Sequence, residues 1–507
     1  MEKKSSILGG AILLTATNLF LRLISILFNV FLSDQIGASG LGLLQLISTV
    51  GLFSMLVGTS GVRVSAMYLS AEEFGHRRLG GVRLAMNACI RYGLLISSIV
   101  GIVQFFLADY LANAWLGDGR AALSLRAMAI LLPFSCLCGI MTGYFTACSR
   151  IRQLVVIEIG ERLVCLAITA ILLMTWAKGD LEKSCCAITL GSSLGAVFDF
   201  VFLYAVYRRD MRHVVLQGEQ RSMRQRLLRL CIPLALNDYL RSGLNTVEQL
   251  LIPYGLARYG GSSEQAMANY GTIHAMVFPI LMFPAAVLYS VSDLLVPELS
   301  RCRAMGRRLR IIDLTDKCLR LCVLFACAVA GFLFLTADPL GVMIYKSSDV
   351  GIYLKVFAPM ILMLYLDAIV DGMLKGLAEQ ISCVRYNTFT SVLDVVFLFV
   401  LLPRWGIGGY VFSFLITHAI NLYLSLQRLL KVSEHKLRFF DLLHPIVCLF
   451  PSVVIASTFA SDNIYLKGGF FLCILSALFV LTNAFREKDR TWLRDVFSSI
   501  DRNKKCG

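Results

Sequence analysis

Three arginines, and the amides spaced around them, are the residues of this chain whose types and spacing could do chemistry. Arg22 closes the stretch Asn18-Leu19-Phe20-Leu21-Arg22, and Arg241 closes Asn237-Asp238-Tyr239-Leu240-Arg241. Both read Asn-x-x-x-Arg, and seven residues beyond each Arg stands another polar residue, Asn29 in the first and Glu248 in the second. At about 100° per residue, Thr15, Asn18, Arg22, Ser25 and Asn29 share one helix face, as do Asn237, Arg241, Asn245 and Glu248. Arg63 follows Ser60-Gly61 in a third apolar stretch. An arginine at the centre of a membrane-length helix costs about 2.5–3.5 kcal/mol to insert. Such a stripe is expected to face a water-filled cavity or a bundle interior. A guanidinium there suits a diphosphate, because its planar fork bonds phosphate oxygens bidentately and never loses its charge. The competing reading is an arginine satisfied by carboxylates and helix-end carbonyls. Asn18, Asn237 and Asn245 suit sugar hydroxyls, a water path or bonds between helices. Glu248 suits a counter-ion to Arg241, a proton site or a ligand for a coupling cation, sodium or proton.

The elements that must position these residues are membrane helices. The chain is 57% hydrophobic and 16% charged, against about 25% charged in an average soluble domain. Mean hydropathy is +0.72. Apolar runs of about 20 residues recur throughout, and about fourteen spans are read: 7–32, 41–70, 84–108, 121–147, 154–176, 184–207, 228–257, 266–297, 314–337, 352–376, 383–402, 406–430, 442–460 and 464–485. No cleavable signal peptide is expected, since the first run is too long. The connections alternate in charge. One set carries Arg77, Arg78, Arg83, Arg150, Arg152, Arg208, Arg209 and the later clusters Arg301–Arg310 and Lys431–Arg438, whereas the other is nearly bare. About 34 Lys and Arg fall on one side, about 8 on the other and about 6 within spans, which puts both termini in the cytoplasm of a plasma membrane. The formal net charge of +15 is then a topology signal facing anionic headgroups, and no nucleic-acid partner is expected.

The chain repeats internally. Asn-x-x-x-Arg recurs 219 residues on, Arg77-Arg78-Leu79 recurs as Arg307-Arg308-Leu309, and Cys89-Ile90-Arg91 as Cys318-Leu319-Arg320. Spans 1–6 and 7–12 therefore read as parallel repeats, with substrate passing between them. The expected fold is all-α: a polytopic membrane protein of about 14 transmembrane helices, in two parallel six-helix lobes plus two C-terminal helices. The lobes are 1–207 and 230–430, joined by a basic cytoplasmic linker at 208–229. Spans 13–14 occupy 431–485, and a basic cytoplasmic tail follows at 486–507, with Trp492, Leu493, Val496 and Phe497 as an interfacial face.

Other polar groups have blander readings. Glu158 and Arg162 stand i, i+4, the order of a structural ion pair. Asp367 and Asp371 are also i, i+4, and Asp394 lies in span 11; burial would raise their pKa and permit proton coupling, but solvation at the cytoplasmic end is the simpler expectation. The sixteen cysteines sit mostly in apolar runs and read as small hydrophobes. No metal-ligand spacing appears, and no cofactor is expected. Pro233, Pro253, Pro279 and Pro284 break regular bonding in spans 7 and 8, as hinges or as static kinks.

The stretches Arg22-Leu23-Ile24, Ile36-Gly37-Ala38-Ser39-Gly40-Leu41-Gly42-Leu43, Ser60-Gly61-Val62-Arg63, Tyr270-Gly271-Thr272, Phe278-Pro279, Phe283-Pro284 and Leu294-Leu295-Val296-Pro297-Glu298-Leu299-Ser300 resemble the stage V sporulation protein B family. This is a branch of the multidrug/oligosaccharidyl-lipid/polysaccharide exporter superfamily, which includes the lipid II flippases. The resemblance spans essentially the whole chain. It implies translocation of an undecaprenyl-diphosphate-linked saccharide, a peptidoglycan precursor or other envelope polysaccharide unit, beside envelope polysaccharide biosynthesis enzymes. It also implies a groove for the lipid tail on the last two spans and arginines in a central cavity, where Arg22, Arg63 and Arg241 would stand. The alternatives are a cation-coupled multidrug exporter on the same fold and a membrane glycosyltransferase. The short outer loops speak against the latter, since chemistry outside would want paired carboxylates or His there.

Overall fold

The computed structural model describes residues 2–148, 150–212, 214–215, 220–260, 262–435, 439–458 and 463–482. Among them there is no strand; the chain is helix joined by short turns. The basic tail with Trp492 to Phe497 lies outside the described residues, as does part of the linker at 216–219. Each of the fourteen expected stretches is helical. Nine helices among the described residues are long and apolar enough to cross a membrane, or ten when a bent pair is taken as one. These nine or ten fall short of the expected fourteen, in part because one of them, Leu19–Gly75, covers two expected spans. Glu158, Glu161 and Arg162 interrupt one expected span, and Asp238, Arg241 and Glu248 interrupt another.

The described residues fall into two compact units. The first runs from Phe31 to Gly271. It holds the later part of α1 (Glu2–Thr59), then α2 (Val62–Gly75), α3 (Leu79–Tyr110), α4 (Ala122–Ala147), α5 (Ile151–Thr175), α6 (Leu181–Asp210), α7 (Gln220–Arg258) and α8 (Ser263–Gly271). The length of α1 conceals a break. Gly37 takes φ +67°, and a methyl on Gly40 would lie 2.8 Å from the Ile36 Cβ, where a straight helix keeps such pairs about 5–6 Å apart. Only glycine enters that left-handed region freely, so the expected turn between spans 1 and 2 is made by one residue. The core of this unit gathers Val62, Ala66 and Leu69 of α2, Cys89 of α3, Ile140 and Phe145 of α4, and Cys231 of α7.

The second unit joins residues 1–30 to Thr272–Gly507. Its helices are α9 (Phe278–Met282), α10 (Ala285–Ala304), α11 (Arg308–Leu335), α12 (Ala337–Tyr345), α13 (Ser348–Phe357), α14 (Ile361–Gly376), α15 (Gln380–Trp405), α16 (Ile407–Ser433), α17 (Phe439–Ser457) and α18 (Ile464–Leu481). The last of these, α18, outside the repeat, packs on α11 by paired knobs: a methyl on Gly331 would meet the Phe471 ring at 2.2 Å, and one on Gly468 would meet the Phe332 ring at 2.3 Å. Small residues let membrane helices approach this closely.

The packing units do not coincide with the lobes read from the repeat. Residues 1–30 pack with the second half of the chain, and 208–271 with the first. The cause is local: α7 is bonded along its length to α2 and to the break before it, by Arg226 to Glu72 and Glu73 and by Tyr239 to Ser60. A repeat records which segments correspond, whereas a packing unit records which segments touch. Of the described cysteines twelve are buried and all are free, as apolar packing groups would be.

Candidate functional site

The second unit places Arg22 against a broken helix. Span 8 is irregular: a π-helical turn at Thr272–Val277, then α9, then α10 after Phe283-Pro284, with a bend of 61°. Pro284 has no N–H to continue the ladder, and the Ala286 amide bonds the Phe283 carbonyl instead of the one four residues back. Two carbonyls are left over. Tyr365 of α14 donates its hydroxyl to the Leu281 oxygen at 2.7 Å. Arg22 donates Nη1 to the Met282 oxygen at 2.7 Å, and its Cζ lies 5.1 Å from the Tyr289 ring centroid. Two turns along α1, Asn29 donates Nδ2 to the Ala275 oxygen at 3.2 Å, inside the π-helical turn. Ser25 bonds back to its own helix at Leu21. Two residues of the stripe read on α1, Arg22 and Asn29, therefore meet the irregular backbone of span 8. The side chain of Asn18 lies outside the described residues.

Arg63 and Arg241 belong to the first unit. Span 2 breaks at Ser60-Gly61, where φ is +44° and +70°, and α2 restarts with Arg63 as its second residue. The Tyr239 hydroxyl bonds the Ser60 Oγ at 2.7 Å and the freed Val57 carbonyl at 3.1 Å. The backbone of Arg63 lies on α4: a methyl on Gly143 would reach its carbonyl oxygen at 2.5 Å, and Gly139 faces the aliphatic stem. The Arg63 side chain is exposed. It forms no ion pair among the described residues and interacts at longer range with Glu158. Arg241 and Asn245 are exposed on α7. Asp238, one turn before, is the carboxylate that Arg241 influences. Glu248 is half-buried near Tyr270, whose hydroxyl bonds the Gln249 Oε1 at 2.8 Å. The side chain of Asn237 lies outside the described residues. Arg63, Arg241, Asn245 and Glu248 are thus carried by one unit, and Arg22 by the other.

Two groupings were not read as sites. In the first unit Glu158, Glu161 and Asp199 influence one another across α5 and α6, and Cys138 of α4 donates to Asp199. Glu158 and Arg162 do not close into the expected ion pair; their interaction is at longer range. In the second unit α16 carries Ser413, Thr417, Asn421 and Ser425 at four-residue spacing, all buried. Asp394 of α15 is 7% exposed and accepts from the Ser413 Oγ at 2.6 Å and the Thr417 Oγ1 at 3.1 Å. Solvation at a helix end is therefore the wrong description of Asp394. One turn further, the Asn421 Nδ2 donates to both oxygens of Asp367 at 3.0 and 3.1 Å. The Asn421 Oδ1 is buried without a hydrogen bond. Asp371 pairs with Lys375 at 2.5 Å. The signal for this column was present in the sequence as the four-residue spacing on α16.

The model of the polysaccharide biosynthesis protein family matches residues 7–302. The chain is 22% identical to stage V sporulation protein B of Bacillus subtilis, over 97% of this chain and 98% of that protein. It is 19% identical to sporulation protein YkvU of the same organism, over 77% of this chain and 87% of that one. Among solved structures, the lipid II flippase MurJ in an inward closed conformation superposes with a TM-score of 0.69 at 14% identity, covering 94% of this chain and 100% of that one. An inward-facing multidrug resistance MATE family transporter of the MOP superfamily gives 0.62 at 13% identity, covering 83% and 96%. At these identities the structural likeness concerns the fold.

Proposed function

The chain belongs to the polysaccharide biosynthesis protein family, and from that premise we propose that it is a flippase for an anionic lipid-linked saccharide. The cargo class is an undecaprenyl-diphosphate-linked unit bound for the cell envelope. The protein carries its polar head across the plasma membrane by alternating access, with both termini in the cytoplasm, while the prenyl tail stays in lipid. The observation that carries this reading is the exposure of the Arg63 and Arg241 guanidinium groups on α2 and α7, without an ion pair among the described residues. A charge kept at bilayer depth without a closed partner is costly, and a passing diphosphate offers the bidentate acceptor that a guanidinium prefers. Asn245, Asn18 and Asn237 serve the sugar hydroxyls in this scheme. Arg22, carried by the other unit, keeps donors beyond the one bonded to Met282, since a guanidinium has five, and is assigned to the same cargo. The likeness to proteins named for sporulation and for lipid II transport is consistent with it.

A cation-coupled multidrug exporter is the second reading, favoured by the MATE likeness. Both need a coupling site, and we assign it to Asp394 and Asp367 ahead of Glu248. The support is a buried carboxylate, two hydroxyls on it and a buried amide oxygen with no partner one turn away. Those are oxygen ligands of the kind a hard cation takes.

Conditional depletion, followed by identification of the prenyl-diphosphate saccharide that accumulates on the cytoplasmic face, tests the cargo. Accumulation of none, together with ethidium efflux that depends on the protein, transfers the assignment to the exporter. Transport by Asp394→Asn under imposed sodium and pH gradients tests the coupling; an unchanged response to both removes it.

A further inference from the structure

The face of α7 that carries Arg241, Asn245 and Glu248 has an opposite. At about 100° per residue, Gly243, Thr246, Leu250 and Tyr254 lie half a turn away from that stripe. With Phe53 of α1 and Trp115 they wall a cavity of about 380 Å³ within the first unit. Its surface is mostly apolar: the Thr246 hydroxyl is satisfied within its own helix by the Ser242 carbonyl at 2.8 Å. Gly243 leaves room where a side chain would fill it, for its nearest neighbour is the Phe53 ring at 3.8 Å from a methyl placed there. An unfilled apolar hollow forfeits dispersion contacts along its whole lining, so in a bilayer hydrocarbon enters it.

The rim points to the kind of molecule. Helix α3 ends in a π-helical turn, Leu111–Trp115, and this irregular turn sets the Trp115 ring, 44% exposed, over the opening. Tyr254 is 50% exposed on the other side. Neither the indole N–H nor the phenol has a hydrogen bond among the described residues. Amphipathic rings of this kind sit at headgroup depth. One turn on, the Arg258 guanidinium lies 4.8 Å from the Tyr254 ring centroid and forms no ion pair among the described residues. A hydrocarbon slot with two aromatic hydrogen-bond donors and an unneutralised cation at its mouth matches an anionic diacyl phospholipid.

We propose that this groove is a binding site for an anionic phospholipid, one acyl chain in the slot and its phosphate at Arg258. By the distribution of basic loops the site opens to the outer leaflet. It is not the tail position of a saccharide carried along the polar stripe, because α7 itself, about 10 Å thick, stands between the two. The proposal is independent of the cargo.

The test uses full-length protein with Trp176→Phe, Trp405→Phe and Trp492→Phe, leaving Trp115 as the only indole, in phosphatidylethanolamine vesicles. Phosphatidylglycerol with brominated acyl chains is expected to quench Trp115 several-fold more than brominated phosphatidylethanolamine at equal mole fraction. Gly243→Phe fills the slot and lowers quenching by both lipids. Arg258→Gln, at an exposed position that does not bear on folding, reduces the preference for phosphatidylglycerol about fivefold, the equivalent of one basic side chain near a lipid headgroup. Equal quenching by the two lipids in the unaltered groove overturns the proposal. So does displacement of phosphatidylglycerol by a small fraction of undecaprenyl phosphate, which reassigns the groove to the carrier tail.

Discussion

The bond from Arg22 to the broken span 8 can be measured by a double-mutant cycle with Tyr289. Arg22→Met removes a charge-assisted hydrogen bond of 2.7 Å to the Met282 carbonyl and a cation–π contact at 5.1 Å. Hydrogen bonds to charged groups contribute about 1.5–3 kcal/mol, and a partly exposed cation–π contact about 0.5–1 kcal/mol. Against this, withdrawing a charge from bilayer depth relieves about 2.5–3.5 kcal/mol of insertion cost. The net change in stability of Arg22→Met is therefore small, about 1 kcal/mol in either direction, although the bond itself is strong. The cycle isolates what the single variant hides. Tyr289→Leu alone loses the ring, and the double variant Arg22→Met/Tyr289→Leu is expected to differ from the sum of the two by about 0.5–1 kcal/mol. Stability in detergent, read by denaturant titration on purified protein, is the assay. Arg22→Lys separates structure from transport, because a lysine keeps the charge but loses the planar fork. It is expected to fold with near-normal stability and to transport at least tenfold more slowly. Additivity of Arg22 and Tyr289 within about 0.3 kcal/mol would refute the contact. Normal transport by Arg22→Met at normal expression would remove Arg22 from the cargo path altogether.

Other consequences follow from the same geometry. Arg63→Ala and Arg241→Ala remove exposed guanidinium groups with no closed ion pair, whose insertion is itself costly, so neither should lower stability, while transport in reconstituted vesicles drops at least tenfold. A pair of variants that unfold instead would make both residues structural. Gly143→Ala drives a methyl to 2.5 Å from the Arg63 carbonyl oxygen, which should destabilise by about 1–3 kcal/mol and impair transport by shifting the start of α2. Equal thermal melts with and without the methyl would show that α2 and α4 do not pack this closely. Glu379, in the turn before α15, is held below the usual carboxylate range by the Ser382 hydroxyl first and the forked Arg428 bond second, against some desolvation. A depressed carboxylate contributes stability above its unfolded pKa of about 4.3 and loses it as pH falls through the lower folded value. Glu379→Gln should accordingly flatten acid destabilisation below about pH 4.3 relative to the unaltered protein, as read by melts across that range.

Hydrophobic run length and loop charge, both one-dimensional quantities, were enough to read a helical polytopic membrane protein from the sequence. The bilayer explains why: with no water to bond free backbone groups, an apolar run of that length must be helix. Pro284 was legible as a break in span 8 because it lacks an N–H. The partition into packing units was not, because the bonds of α7 to α2 join residues more than 150 positions apart, as from Arg226 to Glu73. Nor was the partner of Arg22. The sequence shows an arginine that must find something polar, but the carbonyl that meets it exists only once Pro284 breaks a helix 260 residues away. Asp394 was seen as a lone carboxylate and became a buried, doubly bonded one when α15 folded against the polar edge of α16. Side-chain type and spacing thus determined which groups had to be satisfied; tertiary structure decided by what, since in a medium without water each polar group is assigned its partner by whichever distant helix is brought alongside.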